Sequence, residues 1–111
     1  MAPDDAGVAT LDVQVTFYAC EGDGTGSYCG AMANGAIVHE GAAACGYAFE
    51  LGQRFRILGD PTGREYQCED RGLGPYAWVD IWFPTAEEGW PWLAQTGTWA
   101  TVEVLVDAGA P

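Results

Sequence analysis

The order of apolar and polar positions divides the chain into short strands. Val8 to Tyr18 alternates imperfectly, with Val13, Val15 and Phe17 on one face against Gln14, Thr16 and Tyr18. Ala31 to Val38 reads as a short turn and strand, and Asn34-Gly35 is a strong hairpin signal. Leu51 to Leu58 is the clearest alternation, setting Phe55 and Ile57 against Arg54 and Arg56. Asp60-Pro61-Thr62-Gly63 puts each residue in its preferred turn role, so that strand and Arg64 to Glu69 are predicted to form a hairpin. Ala77 to Phe83 gives a further strand, and Thr98 to Val106 closes the series with Thr101, Glu103 and Leu105 opposite Val102, Val104 and Val106. One helix start is legible, since Thr85 with Glu88 three residues on is a capping box, and Gly89 is expected to end it after about one turn. No helix of ten residues is expected, and no internal repeat is read. The pattern divides the chain into a flexible leader over 1–10, one folded domain over 11–107 and a tail over 108–111.

Composition agrees with one compact β domain. A chain of 111 residues is long enough for a single core, its apolar share of 49% is globular, and 16 glycines suit many tight turns. No run of 18 apolar residues is present, so no membrane insertion is expected. Sixteen acidic residues against four arginines and no lysine leave a net charge of −12, which repels a phosphate backbone or an anionic membrane surface. A neutral polymer such as a polysaccharide remains compatible. A monomer with no cofactor is expected.

Cys20, Cys29, Cys45 and Cys68 allow three pairings. There is no Cys-x-x-Cys and His39 is the one histidine, so no metal site is expected. Two disulfides are the better reading, which implies an oxidising compartment: a secreted or cell-envelope location. Met1-Ala-Pro-Asp-Asp lacks an apolar signal segment and reads as the start of a mature domain. The Gly-rich stretch from Cys20 to Gly30 is explained better as a loop stapled by Cys20–Cys29 than as a phosphate cradle, because no helix N-terminus or lysine follows it. His39 is read as a surface residue in preference to a general base.

The candidate chemistry lies between Cys68 and Pro84. Asp70 stands where a strand meets the Gly-rich turn of Gly72, Gly74 and Pro75. Asp80 stands inside the apolar run Trp78, Val79, Ile81, Trp82 and Phe83, where desolvation penalises a carboxylate. Two explanations fit such a placement: a buried aspartate that accepts backbone N–H bonds and pins a turn, or a carboxyl with a raised pKa that works as an acid.

Glu69-Asp70-Arg71-Gly72, a Gly-rich gap and Val79-Asp80-Ile81-Trp82-Phe83 together resemble the 3D domain, named for its three aspartates, and its relatives. These are the RlpA-like proteins, the MltA-type lytic transglycosylases and, more remotely, expansins and family 45 glycosidases. The resemblance runs from about Val13 to Val106, taking in Val15-Thr16-Phe17-Tyr18, Ala44-Cys45, Leu51 to Ile57 and Glu87-Glu88-Gly89-Trp90. It implies an all-β fold, a six-stranded double-psi β-barrel with short helical turns, in which Cys45 meets Cys68. By position Asp80 falls on the acid of the transglycosylases and Asp70 on a second aspartate. The family's first aspartate corresponds to Cys45, which is a departure.

The reading that follows is an enzyme on a β-1,4-linked glycan, most specifically a peptidoglycan lytic transglycosylase. Asp80 is its expected acid, and Asp70, kept ionised by Arg71, is the neighbour expected to hold Asp80 protonated. Tyr18, Trp78, Trp82, Trp90 and Trp92 are expected to stack on sugar rings, with Arg71 as a hydrogen-bonding clamp. The alternatives are a non-catalytic, expansin-like glycan-binding or wall-loosening module, favoured by the Cys45 departure and the small size, a β-1,4-glucanase acting on cellulose, and a purely structural secreted domain.

Overall fold

The structure is a computed structural model and describes residues 8–21, 29–71, 74 and 76–105. Alternation in the first strand, β1 (Val8–Glu21), decides which way the sheet faces. Val13, Val15 and Phe17 are fully buried, while Asp12, Gln14 and Thr16 look outward. The same rule sorts β2 (Ala42–Cys45), β3 (Arg54–Ile57), β4 (Glu65–Asp70), β5 (Trp78–Thr85) and β6 (Trp99–Leu105). Ala43, Cys45, Phe55, Ile57, Tyr66, Cys68, Val79, Ile81, Phe83 and Val102 fill the interior. Full burial of each large apolar side chain contributes roughly 1.5–3 kcal/mol, and this closes the sheet on itself.

The strands form a closed six-stranded barrel in the order β1-β5-β2-β4-β3-β6, and β6 returns to β1. Two pairs, β1 with β5 and β2 with β4, are parallel; the other four are antiparallel. Exchanging the first three strands for the last three leaves this pairing scheme unchanged. β1 begins at Val8, so three residues of the expected leader belong to the barrel. The remainder of that leader, the Gly-rich loop over 22–28 and the tail over 108–111 lie outside the described residues.

Both disulfides are present. Cys20–Cys29 bridges the two ends of the Gly-rich stretch, and Cys45–Cys68 joins the neighbouring strands β2 and β4 on the inner face of the barrel. The Asp60–Gly63 turn forms the expected hairpin of β3 and β4, with Gly63 N donating to Asp60 O. The Asn34-Gly35 turn closes as well, but its pairing is a single bridge between Ala31 and Ile37.

The helix is longer than expected. Thr85 caps it, its hydroxyl accepting from Glu88 N, yet α1 (Ala86–Thr96) runs 11 residues through Gly89 and Pro91. Proline removes a hydrogen bond and costs about 3 kcal/mol in a helix interior. Burial of Ala86, Gly89, Trp92, Leu93 and Thr96 along one face offsets that cost. Gly89 is a point of close approach: a Cβ there would stand 2.3 Å from the Phe17 ring.

Candidate functional site

The register of four neighbouring strands sets Thr16 (β1), Asp80 (β5), Ala44 (β2) and Asp70 (β4) in one row. Thr16, Asp80 and Ala44 alternate with core residues and face outward. The β2–β4 register shifts between Ala43 and Ala44, so Ala44 pairs with Asp70 and Glu69 is the extra residue. Asp80 is therefore a half-buried carboxyl on the outside of the barrel.

The Trp78 indole N–H donates to the Thr16 hydroxyl at 2.9 Å, and that hydroxyl donates to Asp80 Oδ1 at 2.8 Å. An indole nitrogen only donates, so the threonine proton is directed at Oδ1. Oδ2 is then the oxygen that carries the proton of the neutral acid. Burial pushes the Asp80 carboxyl up to about 6, and the Thr16 hydrogen bond works against that rise by stabilising the ionised form.

Asp70 does not neighbour Asp80 in the way the sequence suggested. Ala44 stands between them, and two strand spacings separate their backbones by about 10 Å. Asp70 Oδ1 accepts from Ala33 N at 3.0 Å and from Arg71 N at 2.9 Å, so Asp70 anchors backbone. Desolvation, not a second carboxylate, raises Asp80. Cys45 faces the barrel interior and is committed to Cys68, so a carboxylate at 45 would point away from Asp80.

Several of the residues expected to bind sugar have roles in the fold. Tyr18 and Trp82 are buried in an outer cluster beneath Met32 and Val38 of the Gly30–Glu40 segment. Trp92 is 4% exposed and donates to Asp60 Oδ1 at 2.9 Å, tying α1 to the β3–β4 hairpin. Arg71 donates to the carbonyls of Gly46 and Phe49 and lies over the Tyr47 ring at 5.0 Å, which occupies it in holding that turn. Trp90 keeps an exposed face but packs edge-on against Phe17, at the inward side of the sheet from Asp80. Among the expected aromatics, Trp78 alone is both half-buried on the outer face and bonded into the Asp80 row.

Sequence reading missed Thr16, which reaches Asp80 across 64 residues of chain, and it missed the pairing around Glu69. Glu69 is buried, accepts from Asn34 Nδ2 at 2.9 Å and lies 2.6 Å from His39 Nε2. His39 Nδ1 meets the Glu40 carbonyl at 2.8 Å, and the Glu69 hydrogen bond leads the causes that raise its pKa. With acceptors at both ring nitrogens His39 favours the imidazolium, and it holds the segment that covers Tyr18 and Trp82. It is exposed and paired, with no position beside Asp80.

Among the described residues, no group of three or more His, Cys, Asp or Glu side chains is arranged to hold a metal ion. No helix among them is long and apolar enough to cross a membrane. Two surface depressions lie away from Asp80. One of about 490 Å³ is lined by Glu50 to Arg54, Gln67 and Leu105, and one of about 220 Å³ by Asp12, Trp99, Ala100 and Thr101. No family model matches the chain, and comparison with curated proteins and with solved structures found no match.

Proposed function

We propose that this chain is a double-psi β-barrel of the 3D or RlpA-like kind that cleaves a β-1,4-linked glycan, most specifically in the manner of a peptidoglycan lytic transglycosylase. Its interleaved parallel pairs, β1 with β5 and β2 with β4, support the topology. The single observation that carries the activity is Asp80: a half-buried carboxyl on the outer face whose hydrogen bond from Thr16 leaves Oδ2 for the proton.

The chemistry needs one carboxyl. Neutral Asp80 gives its Oδ2 proton to the glycosidic oxygen as the C1–O bond breaks, and the leaving sugar departs as an alcohol. The carboxylate then takes the proton of the 6-hydroxyl on the sugar that retains C1, as that oxygen closes on its own C1, giving a 1,6-anhydro end and restoring the acid. Two-carboxylate hydrolysis fits less well, because Asp70 is held by Ala33 N and Arg71 N. The two disulfides suit work outside the cytoplasm. A neutral or weakly charged glycan is the partner that a net charge of −12 tolerates.

A second reading, the non-catalytic expansin-like module, is favoured by one observation: Cys45, which stands at the place of the resembled family's first aspartate, is committed to the disulfide with Cys68. Digestion of purified peptidoglycan and of cellulose, followed by mass spectrometry, separates the two. The transglycosylase reading requires 1,6-anhydro ends on peptidoglycan. Hydrated reducing ends would point to hydrolysis, and binding without products to the module.

A further inference from the structure

Gln14 on β1 pairs with Trp78 of β5 on one side and with Trp99 of β6 on the other. All three alternate with core residues, so an outward row runs from the Asp80 strand across β1 to β6. Trp99 is the most exposed large apolar side chain among the described residues, at 69%. Beside it lies the depression of about 220 Å³, in which the Thr101 hydroxyl donates to Asp12 Oδ1 at 2.6 Å. An open indole face, a carboxylate acceptor and a hydroxyl thus converge on one shallow hollow.

We propose that Trp99, Asp12 and Thr101 form a saccharide subsite, joined to Asp80 by a path over Gln14, so that an extended oligosaccharide crosses the strands. The proposal rests on the glycan reading above and specifies where the chain lies. The indole offers a flat apolar surface that matches the C–H face of a pyranose, while Asp12 and Thr101 can bond its hydroxyls. From Asp80 to Thr101 the path spans two strand spacings and four residues along β1, roughly 15 Å, which takes several sugar rings. Anionic ligands fit poorly, since the four arginines lie on β3, on the β3–β4 hairpin and at the end of β4.

The test is calorimetric titration of the parent and of Trp99→Ala with two-sugar and six-sugar oligosaccharides of the chitin and cellulose series. Sedimentation velocity and thermal melting of both proteins accompany it. Trp99 is exposed, so the variant is expected to fold. The parent should bind the longer ligand more tightly, and Trp99→Ala should weaken that binding about tenfold, a 1.4 kcal/mol effect, and remove most of the gain with length. Equal affinity of variant and parent for the six-sugar ligand overturns the subsite. A concentration-dependent dimer that the variant loses overturns it too, by assigning the face to a second copy. A parent that binds through Trp99 but cleaves nothing keeps the subsite and removes the catalytic reading. Cleavage with unchanged Trp99→Ala affinity removes the subsite alone, and a parent that binds neither series loses the subsite, and the glycan reading with it if peptidoglycan is also left intact.

Discussion

At the scale of single residues, the decisive feature is the company a carboxyl keeps. Asp80 sits among apolar neighbours yet on the outer face, so it is desolvated enough to hold a proton near pH 6 and open enough to give one up. Its abnormality was legible in the sequence, because an acid at one alternate position of an aromatic strand has few ordinary explanations. The identity of its partner was not, since Thr16 reaches it only through the parallel pairing of two strands far apart in the chain. Asp70 misled for the same reason. Its spacing from Asp80 in sequence says nothing about the intervening β2, which contributes Ala44 between them. Thr16 stabilises the ionised form of Asp80, so Thr16→Val is expected to raise its pKa further. A general acid must be protonated, so the alkaline limb of the pH–rate profile should move upward in the variant. An unmoved limb would remove Thr16 from the site.

At the scale of elements, local rules located the strands and misjudged the helix. Strand alternation survives in the structure because each strand has one face in the barrel and one outside. Gly89 and Pro91 are helix breakers by propensity, and tertiary packing overrides them. Trp92 and Leu93 bury against the barrel end, while Asp60, in an exposed-looking turn, supplies the acceptor that lets the Trp92 indole be buried. Of that aromatic segment Trp92 became core, while Trp90 keeps an exposed face. Gly89→Ala provides a test with opposed terms. Helix propensity favours alanine by about 1 kcal/mol, but its Cβ would meet the buried Phe17 ring at 2.3 Å. Overpacking of this kind costs typically 1–3 kcal/mol or more, so a net loss of stability of about 1–2 kcal/mol is expected by chemical denaturation. A stabilised variant would mean that α1 does not sit on Phe17.

At the scale of the molecule, burial and charge act in the same direction with pH. Asp80 has a folded-state pKa above its unfolded value, so the folded protein binds more protons between about pH 4 and 6, and stability falls as pH rises through that window. The difference is on the order of 2 kcal/mol once partial exposure is allowed for. His39 is raised as well. Its pairing with Glu69 contributes fully below the unfolded value near 6.5 and is lost as pH rises through the raised folded value. Self-repulsion from a net charge of −12 adds to both. Melting temperature should therefore fall from pH 5 to pH 8, recover partly with added salt, and fall less steeply between pH 4 and 6 in Asp80→Asn. A melting temperature that rises with pH would contradict this. Composition and cysteine count pointed to one acidic, disulfide-stapled β domain; the closed strand order could not be read from them, because it depends on pairings between strands that are not consecutive.

The most direct measurement is the rate at which Asp80→Asn releases soluble fragments from peptidoglycan, compared with the parent at pH 6 and checked against an unchanged melting curve and disulfide content. A general acid contributes roughly two to four orders of magnitude. We expect a loss of at least about a hundredfold with the fold intact, and 1,6-anhydro products from the parent alone. A variant that cleaves as fast as the parent, or a parent that cleaves nothing, would contradict the role assigned to Asp80.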